Sequence, residues 1–100
     1  MKNSRNRKRK PVHPGEQLRE YILPALKLSQ TELARRLGVS RLTVSELLLE
    51  KRAISADMAV RVGRLTNTTP DSWLRMQIAV DLWELERDQK RYRHIESIAA

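Results

Sequence analysis

Residues 30–49 read QTELARRLGVSRLTVSELLL, and the spacing within them decides the fold. Two short helices crossing at a steep angle need a small residue where they touch, a glycine in the turn, and apolar residues at fixed later offsets. Ala34, Gly38, Val44 and Leu47 fill those positions, with Leu33 and Leu37 completing the inner face of the first helix. The predicted unit is a helix over about 30–37, a turn, and a second helix from 41 to about 49. Ser29-Gln30-Thr31-Glu32 has the pattern of a capping box, in which the serine oxygen accepts from a free amide and the glutamate reaches back to the serine amide. Gly38 supplies the positive φ that ends a helix, and Ser40 stands where the next one needs a cap.

The outer face of that second helix is then Arg41, Leu42, Ser45 and Glu46. A helix so presented fits the DNA major groove, its N-terminal residues meeting base edges while the preceding helix crosses the backbone. Arg41 suits a bidentate contact to guanine, Glu46 accepts from cytosine, and Leu42 packs on a thymine methyl or is one of the exposed leucines common on any surface. Gln30, Ser40 and Thr43 lie where short polar groups and helix N-termini meet phosphates, contacts that fix register without carrying sequence information. For Ser40 the phosphate role and the capping role coexist. Lys51 and Arg52 follow the helix and have two readings, a grip on the DNA backbone or ordinary solvated cations. A helical hairpin with these offsets arising by chance in an all-α protein is the competing explanation of the whole stretch.

The flanks supply three more helices. His13-Pro14-Gly15 forms a turn before Leu18, Tyr21 and Ile22, whose spacing marks a helix that Pro24 ends or kinks. Ser55 caps a helix carrying Met58, Ala59, Val62 and Leu65, which breaks at Thr66-Asn67-Thr68. Thr69-Pro70 opens the last, cap and first-turn proline in their favoured order. No period-2 alternation occurs, so the expected class is all-α with five helices. The expected organisation is a basic, disordered tail at 1–12, a DNA-binding and dimerisation domain at 13–92, and a C-terminal tail at 93–100.

Laid out at about 100° per residue, the last helix is apolar on two sides. Leu74, Ile78, Leu82 and Leu85 fall together, and Trp73, Met76, Val80 and Trp83 lie nearly opposite. Two apolar faces must be covered twice, and four short helices cover one. The leucine-rich face is therefore the expected homodimer interface, against the alternative that both faces are core. A dimer would place two reading helices on half-sites about 34–36 Å apart, which predicts a palindromic operator on double-stranded DNA.

Composition bounds the rest. In 100 residues the net charge is +8, but Lys2, Arg5, Arg7, Lys8, Arg9 and Lys10 supply most of it, so charge alone identifies no function. Such a run is either a solvated extension or a contact for phosphates or an acidic partner. There is no cysteine, which removes disulfides and thiolate zinc sites. No apolar run approaches the roughly 18 residues of a membrane span, so no membrane association is expected and the cytoplasm is the expected location. His13 and His94 stand far apart without a helical partner for a metal, and His13 is read as a turn residue. Asp81, Glu84 and Asp88 alternate with Arg87 and Lys90 as a solvated face. With no phosphate-cradling loop and no nucleophile set, neither a cofactor nor an enzyme is expected.

From His13 to about Glu86 the chain resembles the HigA family of antitoxins among the XRE-like helix-turn-helix repressors, through HPGEQLRE, LSQTELARRLGVSR, ISADMAVRVGRL and WLRMQIAVDLWE. The resemblance implies a five-helix fold like that of the lambda repressor. It also implies a bacterial dimer that represses its own operon and neutralises a HigB toxin, a RelE-like, ribosome-dependent nuclease of messenger RNA. Two positions depart from the family pattern: Glu50 where a glycine usually follows the reading helix, and Asn67 near a second usual glycine. Asn tolerates the left-handed conformation, so the second departure is mild. Candidate toxin contacts are the basic tail, the first helix around Arg19 and Glu20, and the charged stretch from Glu84 to Arg93, the folded domain being favoured because tail and toxin are both basic. Two other binding roles share these features: a regulator of the same fold with no toxin, and a protein-interaction module that reads no DNA.

Overall fold

The computed structural model describes residues 9–98, and among them there is no strand. The expected basic tail thus lies mostly outside the described residues. Helix α1 (Pro14–Gln17) runs directly into a π-helical stretch, Leu18–Ile22, and on into α2 (Leu23–Leu26). Then come α3 (Gln30–Leu37), α4 (Arg41–Leu48), α5 (Ala56–Thr66), α6 (Pro70–Glu86) and a final turn, α7 (Gln89–Tyr92). The five expected helices are α1–α2 taken together, α3, α4, α5 and α6; α7 is an addition, capped where Asp88 Oδ1 accepts from the Arg91 N–H at 3.3 Å.

Of the two readings of Pro24, that it ends the helix or kinks it, the structure removes the first. A proline inside a helix removes one N–H and crowds the carbonyl four residues back. The π stretch widens the spiral ahead of it, with the Leu23 N–H donating to the Leu18 carbonyl five residues back. The helix passes through Pro24 and ends instead at Lys27, which takes φ +57°. His13 is more than a turn residue: it is buried, and its Nδ1 accepts from the Gly15 N–H at 2.9 Å, capping α1.

Serines cap α3, α4 and α5 as the sequence predicts, each accepting from the amide three residues on. The capping box at α3 is half formed. Ser29 Oγ accepts from the Glu32 N–H at 3.1 Å, while the Glu32 carboxylate goes to Arg35 and Arg36, one turn ahead on the same helix. Gly38 ends α3 at φ +71° and Asn67 ends α5 at φ +57°.

The core gathers Leu18 from the first helix, Leu33, Ala34 and Leu37 from α3, Val44, Leu47 and Leu48 from α4, and Met58, Ala59 and Val62 from α5. Ile54 and Trp73 close it from the segments that follow α4 and open α6. The Trp73 indole N–H donates to Thr68 Oγ1 at 2.7 Å, so the ring is buried without an unpaired polar atom. Gly15 is where α1 meets α4: a Cβ there would stand 1.9 Å from the Leu47 carbonyl oxygen. That close approach seats the first helix against the C-terminal end of α4.

Candidate nucleic-acid interface

Three buried side chains, Val44, Leu47 and Leu48, fix which way α4 turns. At its N-terminus Ser40 Oγ accepts from the Thr43 N–H at 3.0 Å and lies 2.9 Å from Thr43 Oγ1. The residues singled out at this end gather as expected: Ser40, Arg41 and Leu42 are exposed on the first turn of α4, and Gln30 is exposed at the first position of α3. Thr43 is half-buried on the flank. Arg41 is exposed and forms no ion pair with the described residues.

The other end of α4 is arranged differently from expectation. Glu46 and Arg52, assigned separate roles from sequence, meet each other, Arg52 Nη2 lying 2.6 Å from Glu46 Oε1. The chain reverses after α4, and this reversal brings residue 52 back beside 46. Neither group stands free, whereas Lys51 is exposed. Ser45 is half-buried at the edge of the outer face, and Leu49, not singled out from sequence, is 57% exposed.

The reversal itself is pinned from outside. Glu50 takes φ +62°, the conformation for which a glycine is suited, so the departure at this position keeps the backbone geometry and changes only the side chain. Arg19 donates to the Leu48 carbonyl at 2.5 Å and reaches Glu50 Oε2 at 3.4 Å, satisfying a carbonyl at the end of α4. This occupies Arg19, one of the candidate toxin contacts. Arg61 does the same for α3: it donates to the Leu37 carbonyl at 2.8 Å and to Asp57 Oδ2 at 2.8 Å. The i, i+4 spacing of Asp57 and Arg61 was readable; the link to residue 37 had no local signal. Gln77 was also missed. Buried on α6, it accepts from the Ile54 N–H at 2.9 Å and donates to Asp81 at 3.0 Å, holding the segment between α4 and α5 in place.

On α6, Trp73 and Val80 are buried and Met76 packs against the core. Trp83 is half-buried with the Arg87 guanidinium 4.4 Å above its ring. On the other side Ile78, Leu82 and Leu85 are 54%, 39% and 37% exposed. Leu74, on the same face by sequence, is half-buried against the core, so the bare stripe is the remaining three. Among the described residues no group of His, Asp and Glu is disposed to hold a metal ion, and no helix is long and apolar enough to cross a membrane.

With this geometry in hand, the likeness to known proteins is specific. The Helix-turn-helix family matches residues 18–73. The uncharacterized HTH-type transcriptional regulator YbaQ of Escherichia coli K12 is 43% identical over 94 residues, which cover 91% of this chain and 83% of YbaQ. Antitoxin HigA-1 of Vibrio cholerae is 38% identical over 80 residues, 80% of this chain and 75% of HigA-1. Among solved structures, the Pseudomonas aeruginosa antitoxin HigA with the higBA promoter superposes with a TM-score of 0.81 at 37% identity, covering 90% of this chain and 100% of that one. The antitoxin GraA in complex with its operator superposes with a TM-score of 0.82 at 37% identity over 100% of this chain and 99% of GraA. Both the matched motif and the shared architecture place this chain in the helix-turn-helix family to which the HigA antitoxins and their regulator relatives belong.

Proposed function

We propose that this chain is an antitoxin-repressor: a cytoplasmic homodimer that binds a palindromic operator at its own promoter and neutralises a HigB-type, RelE-like toxin that cleaves messenger RNA. It acts by binding and not by catalysis. The observation that carries this reading is the superposition on HigA with its promoter at a TM-score of 0.81. In this reading α4 enters the major groove. Arg41 takes a guanine edge, while Gln30, Ser40 and Thr43 contact phosphates beside the exposed starts of α3 and α4. Lys51 steadies the backbone beyond the helix. Arg52 joins it only as far as its bond to Glu46 allows, and Glu46 must leave Arg52 to accept from a cytosine. Ile78, Leu82 and Leu85 are covered by the same stripe of a second copy, giving a two-fold interface matched to a two-fold operator.

A plain repressor without a toxin is the second reading, favoured by the 43% identity to the regulator YbaQ, above the 38% to HigA-1. Native mass spectrometry of the chain purified under mild conditions from its host separates the two. Recovery with a small basic partner establishes the antitoxin. Recovery as a bare dimer that still binds its own promoter establishes the plain repressor, and a bare monomer that binds no DNA contradicts both.

A further inference from the structure

The outward side of α4 and its C-cap residue carries two exposed leucines among polar neighbours. At about 100° per residue, Val44, Leu47 and Leu48 set the inward direction, and Leu42 and Leu49 lie opposite it, within about 20° of one another. The burial agrees: Leu42 is 67% exposed and Leu49 57%. Glu46 sits between them, but its carboxylate is engaged by Arg52 at 2.6 Å. The centre of the face therefore offers two leucines and a neutralised carboxylate, with Arg41 at the N-terminal end and Ser45 half-buried at the edge.

We propose that Leu42 and Leu49 read the C5-methyl groups of thymines in the operator. The inference rests on the DNA-reading role given above and adds the chemistry of its specificity. In the major groove, the C5-methyl is the apolar feature that distinguishes a thymine edge, and an aliphatic side chain packed on it gains what no hydrogen-bonding group could. Leu42 and Leu49 are seven residues apart, about 10 Å along the helix axis. At about 3.4 Å per base pair along one strand, that is roughly three base-pair steps, so two methyls at that separation suit the pair of leucines. While the Glu46–Arg52 bond holds, the carboxylate between the leucines is paired and repels the surrounding phosphates less.

The test uses a duplex enriched by the full-length chain from a random-sequence pool, synthesised once with thymine and once with deoxyuridine, which lacks only the methyl. Expected is a loss of about fourfold in affinity for each contacted methyl removed. Leu42→Ala and Leu49→Ala, both at exposed positions, should bind the thymine duplex more weakly and discriminate less between the two duplexes, with melting temperatures near that of the parent. Equal binding of both duplexes by the parent overturns the inference, as does full discrimination by the double variant. Parent-like DNA affinity of the double variant does so too, and would assign the stripe to a protein partner. Enrichment of no sequence at all overturns the operator reading, and this inference with it.

Discussion

Glu50 shows how a single residue keeps a turn while breaking its usual chemistry. A side chain at φ +62° costs about 1–2 kcal/mol relative to glycine. Its ion pair with Arg19, long and partly exposed, offsets little of that. Glu50→Ala loses the pair and keeps the strain, whereas Glu50→Gly loses the pair and the strain together. The glycine variant should therefore be the more stable by about 1 kcal/mol in urea unfolding. Equal stability of the two would show that the turn is not strained. His13 makes a pH-dependent prediction. Burial lowers its pKa from the ordinary 6.5 and Lys10 lowers it further, outweighing the pull of Glu50, Asp81 and Glu84. The folded state thus binds the proton less readily than the unfolded chain. Stability from this group is complete above 6.5 and falls as the pH drops below that value toward the lowered pKa. His13→Asn, which can still cap α1 through its side-chain oxygen, should flatten that part of the melting temperature against pH; an unchanged slope would place the acid sensitivity elsewhere.

At the scale of elements, what was legible in the sequence were the starts and stops. Ser29, Ser40, Ser55 and Thr69 each cap the helix they precede, because the short-range hydrogen bond depends only on residues three apart. Pro24 left two readings open for the converse reason. Whether a proline ends a helix depends on how the preceding turn relaxes, and here a π turn absorbs it. The links between elements were invisible. Arg19 reaches across 29 residues to Leu48, Arg61 across 24 to Leu37, and Gln77 across 23 to Ile54, none with a local pattern to announce it. Of the candidate interface, the placement of Ser40, Arg41 and Leu42 at the exposed start of α4 was readable because capping and helix periodicity set it. The Glu46–Arg52 pair was not, because it depends on the path of the reversal after α4. Gln77→Leu tests one such link: it leaves the buried Ile54 N–H without an acceptor and should cost about 1–3 kcal/mol. A neutral Gln77→Leu would mean that water or a shifted backbone takes over the bond. Gly15→Ala tests another, since the new methyl meets the Leu47 carbonyl, and should cost about 1–3 kcal/mol and loosen the seat of α1 on α4.

At the scale of the whole molecule, the proposed function joins the exposed face of α4 to the bare apolar stripe of α6. One copy of α4 offers few base contacts, and a second copy held across a dyad multiplies them. Leu82→Glu, at a position 39% exposed in the single chain, should convert the dimer to a monomer in sedimentation equilibrium while leaving helicity unchanged. A dimer that survives Leu82→Glu would move the interface elsewhere. Operator binding itself is decided by fluorescence anisotropy of the purified chain on the DNA preceding its own coding sequence, against a shuffled duplex of equal length at fixed salt. The expected result is binding at least about 10³ tighter to the native duplex. Arg41→Ala should then weaken it by about 1–3 kcal/mol at one base position of each half-site. Equal affinity for native and shuffled DNA, or an Arg41→Ala variant that binds like the parent, would contradict the assignment of α4 as the reading helix.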